Sequence, residues 1–370
     1  MKNCSRLYLF ALALGAAILP AALRAAEPPA AGKTWVCPPC GGDCDALVFD
    51  QAGQCPHCGM TLVDAASVRV TTVAILLFDG VQIIDYSGPW EVFGQAGYRV
   101  FTVAETAAPV TTVFHQKVTP DYTFQNSPRA DIVVIPGGET TPERCNNPRL
   151  QQWVCAEAAS AQHVLTVCTG AFIAARAGLL DGLTATTFHN AIDGLVAAAP
   201  KAKVVFDRRY VDNGKVITTA GLSSGIDGAL HLVERREGRG EAENLALHLE
   251  YQWDPASIWA RAALADRFLR FRPDGLKFKY LRRAGDRTRW EDEIELPAGA
   301  TPAQVAAALR ESFAASATRF EIVSSNGQPA GVRWTSADEA GHVWAGEARF
   351  GPSPEHADRL ALRLRVALQP

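Results

Sequence analysis

Residues 163–180 read HVLTVCTGAFIAARAGLL, and this stretch decides the fold of the largest part of the chain. Residues 164–167 form a short apolar run rich in β-branched side chains, which predicts a buried strand. Residues 171–180 are rich in Ala, Phe and Ile at helical spacing and run into Leu-Leu-Asp-Gly, which predicts a helix and its end. Cys168 therefore lies on a turn between a strand and a helix.

Cys168 has a position that suits a nucleophile. A cysteine at the start of a helix meets free backbone N–H groups and the positive end of the helix dipole, and both lower the pKa of its thiol. The strand–turn–helix setting is that of a nucleophile elbow, although the Gly-x-Ser-x-Gly consensus of serine hydrolases is not matched. The alternative is a buried structural cysteine, since free cysteines are among the most buried residues.

The composition is that of a globular protein with a substantial core. The chain has 370 residues, which predicts two or three domains, and 48% of them are hydrophobic against 20% charged. The net charge is −3, and no Lys/Arg cluster is interleaved with aromatic residues. We therefore expect no nucleic-acid partner.

The N-terminus has the pattern of an export signal. Lys2 and Arg6 give a positive start, residues 7–19 are an apolar run, and small residues at Ala25 and Ala26 suit cleavage. Because a membrane span takes roughly 20 apolar residues, this run is too short for a stable span. We expect a signal peptide over residues 1–25 and an exported protein that is periplasmic or secreted.

Five of the nine cysteines lie in residues 35–63, WVCPPCGGDCDALVFDQAGQCPHCGMTLV. Two C-x-x-C knuckles each place two thiolates on one tight turn, and together they can supply four soft ligands to one tetrahedral ion. We expect the metal ligands to be Cys37, Cys40, Cys55 and Cys58, with Cys44 as an extra or substitute ligand. Disulfide pairing is the alternative, because an exported protein meets an oxidising compartment.

From residue 68 the pattern changes to strands that alternate with helices. This alternation predicts a parallel sheet covered by helices on both faces. Ligands of such sheets bind beyond the carboxyl ends of the strands. Cys168, the Gly137-Gly138 pair and the loop after Phe78 each follow a predicted strand, so we expect them to meet at this edge of the sheet.

Four motifs in residues 73–263 resemble the ThiJ/PfpI superfamily, which has a class I glutamine amidotransferase-like fold. They are FDGVQIIDYSGPWEVF at residues 78–93, VIPGG at 134–138, VCTGA at 167–171 and TTAGLSSGID at 218–227. The first and third resemble the isocyanide hydratase branch and the amidase-like domain of certain AraC-type regulators. Thr169 stands where the protease-like branch has histidine, which argues against a Cys-His protease.

The resemblance implies roles for several residues. Cys168 would be the nucleophile, and Asp85 would hold, donate or accept a proton, with a pKa raised by like-charge repulsion. Backbone N–H groups of Gly138 and Thr169 would stabilise negative charge on a bound intermediate. Further candidates for substrate binding are Gly137 and His189. The alternatives are a helix cap or solvated residue for Asp85, a tight turn for the glycines and a structural histidine.

The cysteine-rich segment resembles the small heavy-metal-binding domain of copper and other metal efflux proteins. Trp35, the Cys37-Pro38 pair and CPHCGMTL at residues 55–62 match the pattern of that family. Cys40 replaces the histidine of the family in the first knuckle. The resemblance therefore implies zinc or a copper-like ion and leaves the identity of the metal open.

Residues 271–370 form a separate piece with several strand patterns and one helix, which Thr301 caps and Pro302 opens. This piece contains no recognisable catalytic motif and does not look like the helix-turn-helix pair of AraC-type regulators. We predict a small α+β domain and assign it no role.

The sequence thus predicts an α/β protein with a flavodoxin-like parallel sheet sandwiched by helices over residues 68–265. A Cys-rich module over residues 33–64 precedes it, and the α+β domain follows it. One interpretation is a cysteine-dependent hydratase or hydrolase that acts on a small electrophilic carbon, such as that of an isocyanide, and the family resemblance implies a homodimer. The other interpretation is a non-catalytic metal-binding protein or sensor of redox or metal stress, in which Cys168 is oxidised.

Overall fold

The computed structural model describes residues 33–38, 44, 47–68, 70–257, 259–269, 271, 277–313, 317–338 and 340–370. The predicted signal peptide and Cys40 lie outside the described residues. The chain divides into two compact units, of which the first runs to Val205 and resumes over Arg209–Ala256. The second comprises Phe206–Arg208 and Ser257–Pro370. In the part of the chain that the structure describes, no helix is long and apolar enough to cross a membrane.

The cysteine-rich module is a small three-stranded antiparallel sheet. Strand β1 (Trp35–Val36) lies between β2 (Val48–Phe49) and β3 (Val63–Asp64), and a 3-10 helix, Ala65–Ser67, follows. Its buried cluster consists of Cys37, Cys44, Cys55 and Leu62. Because so few apolar side chains are available, we infer that the sulfur atoms replace a hydrophobic core here.

The rest of the first unit alternates strands with helices. The strands are β4 (Thr72–Leu76), β5 (Arg99–Ala104), β6 (Val110–Thr111), β7 (Lys117–Val118), β8 (Tyr122–Thr123), β9 (Ile132–Ile135), β10 (His163–Thr166), β11 (Thr184–Ala185), β12 (Lys203–Val204), β13 (Tyr210–Asp212) and β14 (Val216–Thr219). The helices are α1 (Ile83–Gln95), α2 (Pro142–Cys145), α3 (Pro148–Ser160), α4 (Gly170–Arg176), α5 (Ile192–Ala198), α6 (Ser224–Glu237) and α7 (Arg239–His248).

Seven of these strands form the central sheet, in the order β13-β14-β10-β9-β4-β5-β8. All neighbouring pairs are parallel except β13 and β14, which form an antiparallel hairpin at one edge. Every residue of β9 and β14 is buried, as continuous apolar runs predict for strands covered on both faces. The predicted flavodoxin-like sheet sandwiched by helices is confirmed.

Some predicted boundaries were wrong. A short helix was predicted over residues 88–96, but helix α1 begins at Ile83 and contains Pro89. Gly88 is needed within the helix, since a Cβ there would come within 3.0 Å of the Ile226 side chain on α6. Val204 was placed in the hairpin before residues 212–214, yet it pairs with Ala185 in a separate two-stranded sheet.

The second unit is a six-stranded antiparallel sheet with one long helix. Its elements are the 3-10 helices Arg261–Ala263 and Ala265–Phe268, strands β15 (Lys279–Gly285), β16 (Arg289–Glu295), β17 (Ala317–Ser325), β18 (Gln328–Ala337), β19 (Val343–Pro352) and β20 (Leu360–Leu368), and helix α8 (Pro302–Phe313). The strand order is β15-β16-β20-β19-β18-β17. Strand β20 lies near the middle of the sheet and was not predicted.

Helix α8 begins with a reciprocal cap and packs its apolar side against the sheet. The Gln304 N–H donates to Thr301 Oγ1 at 3.3 Å, and the Thr301 N–H donates to Gln304 Oε1 at 3.1 Å. The predicted cap at Thr301 is therefore present. Phe313 stacks on Trp334 of β18 with ring centroids 4.3 Å apart, and both side chains are buried.

We predict that Gly346→Ala destabilises the second unit, because the Trp334 ring lies where the new methyl group would stand. Overpacking of this kind costs about 1–3 kcal/mol. The measurement is the free energy of unfolding in urea, followed by hydrogen exchange in peptides from β18 and β19. Gly351→Ala on the same strand is the matched control, since nothing lies within 4 Å of its Cβ position. Equal exchange rates in the two variants would contradict the packing argument.

Candidate functional site

The candidate site lies where the carboxyl ends of the central strands meet. Cys168 follows β10 by two residues, Gly137 follows β9 by two residues, and Asp85 lies in the first turn of α1. The loop from β4 to α1 is joined to the Gly137-Gly138 turn, because the Gln82 N–H donates to the Gly137 carbonyl at 2.9 Å. The structure thus brings together three predicted residues that are far apart in the sequence.

Cys168 adopts a strained backbone conformation on its turn. Its φ is 57°, in the left-handed region that non-glycine residues avoid, and its side chain is 6% exposed. Two hydrogen bonds hold the residue, one from its N–H to the Ala220 carbonyl at 3.1 Å and one from Thr187 Oγ1 to its own carbonyl at 2.7 Å. Strain maintained by surrounding bonds is typical of functional turns.

The Asp85 carboxyl is completely buried beside Cys168. Its Oδ2 accepts a hydrogen bond from the Gly137 N–H at 3.2 Å. Its Oδ1 has no hydrogen-bond partner of good geometry among the described residues. Burial raises the pKa of Asp85 to about 7, while the Cys168 thiol and the N–H groups of Gly137 and Leu222 oppose this shift. The direction was predicted, but the cause is loss of solvation, not like-charge repulsion.

The surroundings of Cys168 favour the protonated form of its thiol. Burial raises the pKa of Cys168, the neighbouring Asp85 carboxyl raises it further, and the Thr169 N–H and hydroxyl only partly compensate. This direction is opposite to the lowering that was expected from the position of Cys168 at the start of a helix.

The Gly137-Gly138 turn approaches Cys168 so closely that side chains are excluded. A Cβ on Gly137 would lie 2.6 Å from the Thr169 nitrogen and 2.8 Å from the Cys168 Cβ. Gly138 has a φ of 136°, and its N–H donates to Thr169 Oγ1 at 3.0 Å. We predicted that this N–H donates to the substrate, but in this conformation it donates to the Thr169 hydroxyl oxygen. It becomes available only when the Thr169 hydroxyl turns away.

Sequence reasoning chose His189 in the TTFH segment and missed Thr187. The His189 ring packs edge-on against Phe188, with centroids 4.2 Å apart. Thr187, two residues earlier, makes the hydrogen bond to the Cys168 backbone. The available signal was a pair of buried threonines, Thr186 and Thr187, directly after a short strand. Leu222 was also missed, and its φ of 58° marks a second strained turn beside Asp85.

Three of the four predicted metal ligands, Cys37, Cys55 and Cys58, converge on one point together with Cys44, which was the extra or substitute ligand. The sulfur atoms of Cys37, Cys44, Cys55 and Cys58 all lie within 4.8 Å of one another. The Cys37 sulfur is 3.2 Å from that of Cys58 and 4.0 Å from that of Cys44. Tetrahedral zinc with Zn–S bonds of about 2.3 Å needs sulfur pairs about 3.8 Å apart, so the four residues fit such an ion.

The fourth sulfur of this cluster belongs to Cys44, which the sequence offered as a substitute for Cys40. Cys40 lies outside the described residues. In the second knuckle, the Cys55 N–H donates to the Met60 carbonyl at 2.7 Å and the Gly59 N–H to the Cys55 carbonyl at 2.8 Å. A hydrogen bond from the Met60 N–H lowers the pKa of Cys58 to about 7, which favours the deprotonated form that binds metals.

The chain is similar to known proteins over the same two regions. Residues 71–235 match the DJ-1/PfpI family, and residues 34–65 match the heavy metal binding domain family. Isonitrile hydratase from Pseudomonas putida is 33% identical over 183 residues, which cover 48% of this chain and 78% of that enzyme. The HTH-type transcriptional regulator GbdR from Pseudomonas aeruginosa is 26% identical over 175 residues, 45% of this chain and 47% of the regulator.

A solved structure of a ThiJ/PfpI family protein from Pseudomonas syringae is 28% identical. It covers 51% of this chain and 78% of its own, with a TM-score of 0.47. The match to isonitrile hydratase spans more than two thirds of that enzyme. The chain therefore belongs to the DJ-1/PfpI family and carries a heavy metal binding domain before its α/β domain.

Proposed function

We propose that the α/β domain is a cysteine-dependent hydratase whose substrates are isonitriles. The observation that carries this proposal is the buried Asp85 carboxyl beside the Cys168 thiol, with one oxygen that accepts no hydrogen bond of good geometry from any described residue. A buried polar atom without a partner costs free energy, so such an atom is suited to a bound reactant. The similarity to isonitrile hydratase supports this class of substrate.

The chemistry requires one proton to move within the Cys168–Asp85 pair. Asp85 takes the proton from the thiol as the sulfur bonds to the terminal carbon of the isonitrile, and passes that proton to the same carbon. The product is a thioimidate, in which the carbon holds sulfur, hydrogen and a double bond to nitrogen. Water then adds across the C=N bond, so that its oxygen bonds to this carbon and one of its protons goes to nitrogen. The C–S bond breaks, and the second proton of the water restores the Cys168 thiol, while the original thiol proton stays on the carbon. An N-substituted formamide is released.

Backbone donors complete the proposed site. Negative charge grows on the substrate carbon and nitrogen when the sulfur attacks. In our proposal the Thr169 hydroxyl turns from Gly138 at this point, so that the N–H groups of Gly138 and Thr169 face the bound intermediate. Since the surrounding hydrogen bonds hold the backbone of the Cys168 turn in place, rotation of this hydroxyl is the change that the proposal requires.

We further propose that the mature protein is exported, forms a homodimer and holds a zinc or copper-like ion in its N-terminal module. The positive start and the apolar run of residues 7–19 support export. Four soft sulfur ligands suit zinc or Cu(I), and such an ion would stabilise a module that has little apolar core. A metal- or redox-sensing protein is the second candidate, and the cluster of thiols is the observation in its favour.

We predict that the full chain converts cyclohexyl isocyanide to N-cyclohexylformamide and that Cys168→Ser lowers the rate at least about 100-fold, because the sulfur forms the covalent intermediate. Cys145→Ser is the matched control and should retain activity. The Cys168–Asp85 pair is reactive when Asp85 is ionised and Cys168 keeps its proton. The value of kcat/KM should therefore rise with pH through about 7, where Asp85 ionises, and then level off. Formamide detected by mass spectrometry is the readout. If Cys168→Ser and Cys145→Ser hydrate the substrate at equal rates, the catalytic proposal is wrong and the metal- or redox-sensing function remains as the candidate.

We predict that Asp85→Asn makes the α/β domain more stable above pH 7 while it removes hydration activity. The pKa of Asp85 is about 7 in the folded chain against an ordinary 3.8. Between these values the folded state binds a proton that the unfolded state has lost, so stability falls as pH rises, by at most about 4 kcal/mol. Urea unfolding at pH 5 to 8 measures the slope. Asp193→Asn, at an exposed residue of α5, is the control; an unchanged slope in Asp85→Asn would refute the assignment.

We predict that the full chain binds about one zinc or copper-like ion and that Cys44→Ser weakens this binding at least about 10-fold, since Cys44 supplies the fourth sulfur. Cys40→Ser tests the predicted ligand that lies outside the described residues. Native mass spectrometry and elemental analysis give the stoichiometry. If Cys40→Ser loses the metal while Cys44→Ser retains it, the ligands are Cys37, Cys40, Cys55 and Cys58, as the sequence predicts. Full metal content in Cys55→Ser would reject the site.

A further inference from the structure

A separate cavity opens at the carboxyl ends of β4 and β5. Its volume is about 410 Å³, within the range of small-molecule sites. Neither Cys168 nor Asp85 lines it. Leu77, Phe78, Phe124 and Leu150 form an apolar part of its wall, and polar and charged residues line the rest. Phe124 stacks on Trp153 with ring centroids 5.2 Å apart, which makes this wall rigid.

One cationic side chain in this cavity has a buried nitrogen without a hydrogen-bond acceptor among the described residues. The guanidinium of Arg144 lies 5.1 Å from the centroid of the Phe78 ring. Its Nη1 is buried and makes no hydrogen bond to any described residue. No ion pair to Arg144 is found in the described ranges of the chain. A buried guanidinium nitrogen without an acceptor costs free energy that a bound anion would recover.

None of the acidic residues at the cavity forms an ion pair with Arg144 within the described residues, and each accepts a hydrogen bond from another group. Asp79 Oδ1 accepts a hydrogen bond from the Thr111 N–H at 2.8 Å. Glu105 accepts one from Asn147 Nδ2 at 2.8 Å and lies 3.5 Å from Arg149 Nη1. The Glu143 carboxyl accepts a hydrogen bond from its own backbone N–H, which holds the pKa of that carboxyl below its usual range. The guanidinium is therefore the polar group that remains to be satisfied.

We propose that this cavity binds a small monocarboxylate with an apolar body. Its carboxylate would pair with the Arg144 guanidinium, which is matched to planar carboxylates. Its body would pack against Leu77, Phe124 and Leu150. The carboxyl ends of parallel strands are the usual place for ligands in such sheets. The proposal does not depend on the hydratase function, because neither Cys168 nor Asp85 lines this cavity.

The experiment measures binding of benzoate and hexanoate to the full chain by isothermal titration calorimetry. Benzamide and hexanamide, which have the same apolar bodies without the charge, are the ligand controls. We expect Arg144→Gln to weaken carboxylate binding at least about 10-fold, as loss of a charge-assisted bidentate contact does. Arg99→Gln makes the same change of charge at the exposed, opposite end of β5 and should bind as the unaltered protein does.

Several outcomes would overturn the proposal. It is wrong if neither carboxylate binds at millimolar concentration, if the amides bind as tightly as the acids, or if Arg144→Gln binds as well as Arg99→Gln. Thermal melting of both variants shows whether they are folded. Should Arg144→Gln be unstable, Arg144→Lys provides the test, because it keeps the charge but loses the bidentate geometry and should weaken binding while the fold remains. Unchanged carboxylate affinity in Cys168→Ser is expected, and its loss would place the ligand at the other site.

Discussion

The burial of one carboxyl group, that of Asp85, is the constraint on which the architecture of the site depends. Removing a carboxylate from water is costly, so the group stays protonated until the pH approaches 7. The Gly137 N–H donates to one of its oxygens, and the Cys168 thiol and the Leu222 N–H lie close enough to favour the ionised form without making a hydrogen bond of good geometry to the other oxygen. A free energy cost of this kind persists only because the surrounding sheet, which is stabilised elsewhere by its fully buried strands, holds the group in place.

The close approach of backbone segments is what permits this burial. Gly137 lies against the Thr169 nitrogen and the Cys168 Cβ, so no larger residue could bring the β9 turn to the nucleophile turn. The Thr187 hydroxyl fixes the Cys168 carbonyl from a third segment. These contacts come from residues distant in the sequence, and together they hold Cys168 in a conformation that it would not adopt alone.

The sequence was sufficient to predict the central sheet, because buried parallel strands are continuous apolar runs whose length and ends are visible. The strand over Ile132–Ile135 was predicted at its observed limits. Helix α1 was not, since the need for Gly88 comes from Ile226 on another helix. Strand β20 was missed because Arg363 and Arg365 interrupt its apolar run, although they lie on one face of the strand and its alternate residues are buried. The position of Cys168 was readable from local pattern, whereas its pKa depends on burial by the whole fold.

The chain thus places cysteines in two environments with opposite chemistry. In the N-terminal module four sulfur atoms crowd together, so that thiols share protons and a cation would relieve their mutual repulsion. In the α/β domain a single sulfur lies beside a carboxyl group, and there a proton, not a metal, balances the charge. A soft metal ion needs several thiolates to compensate for its desolvation. Cys168 offers one sulfur in a buried turn, and the same burial that raises its pKa therefore also disfavours metal binding at the site that we propose for catalysis.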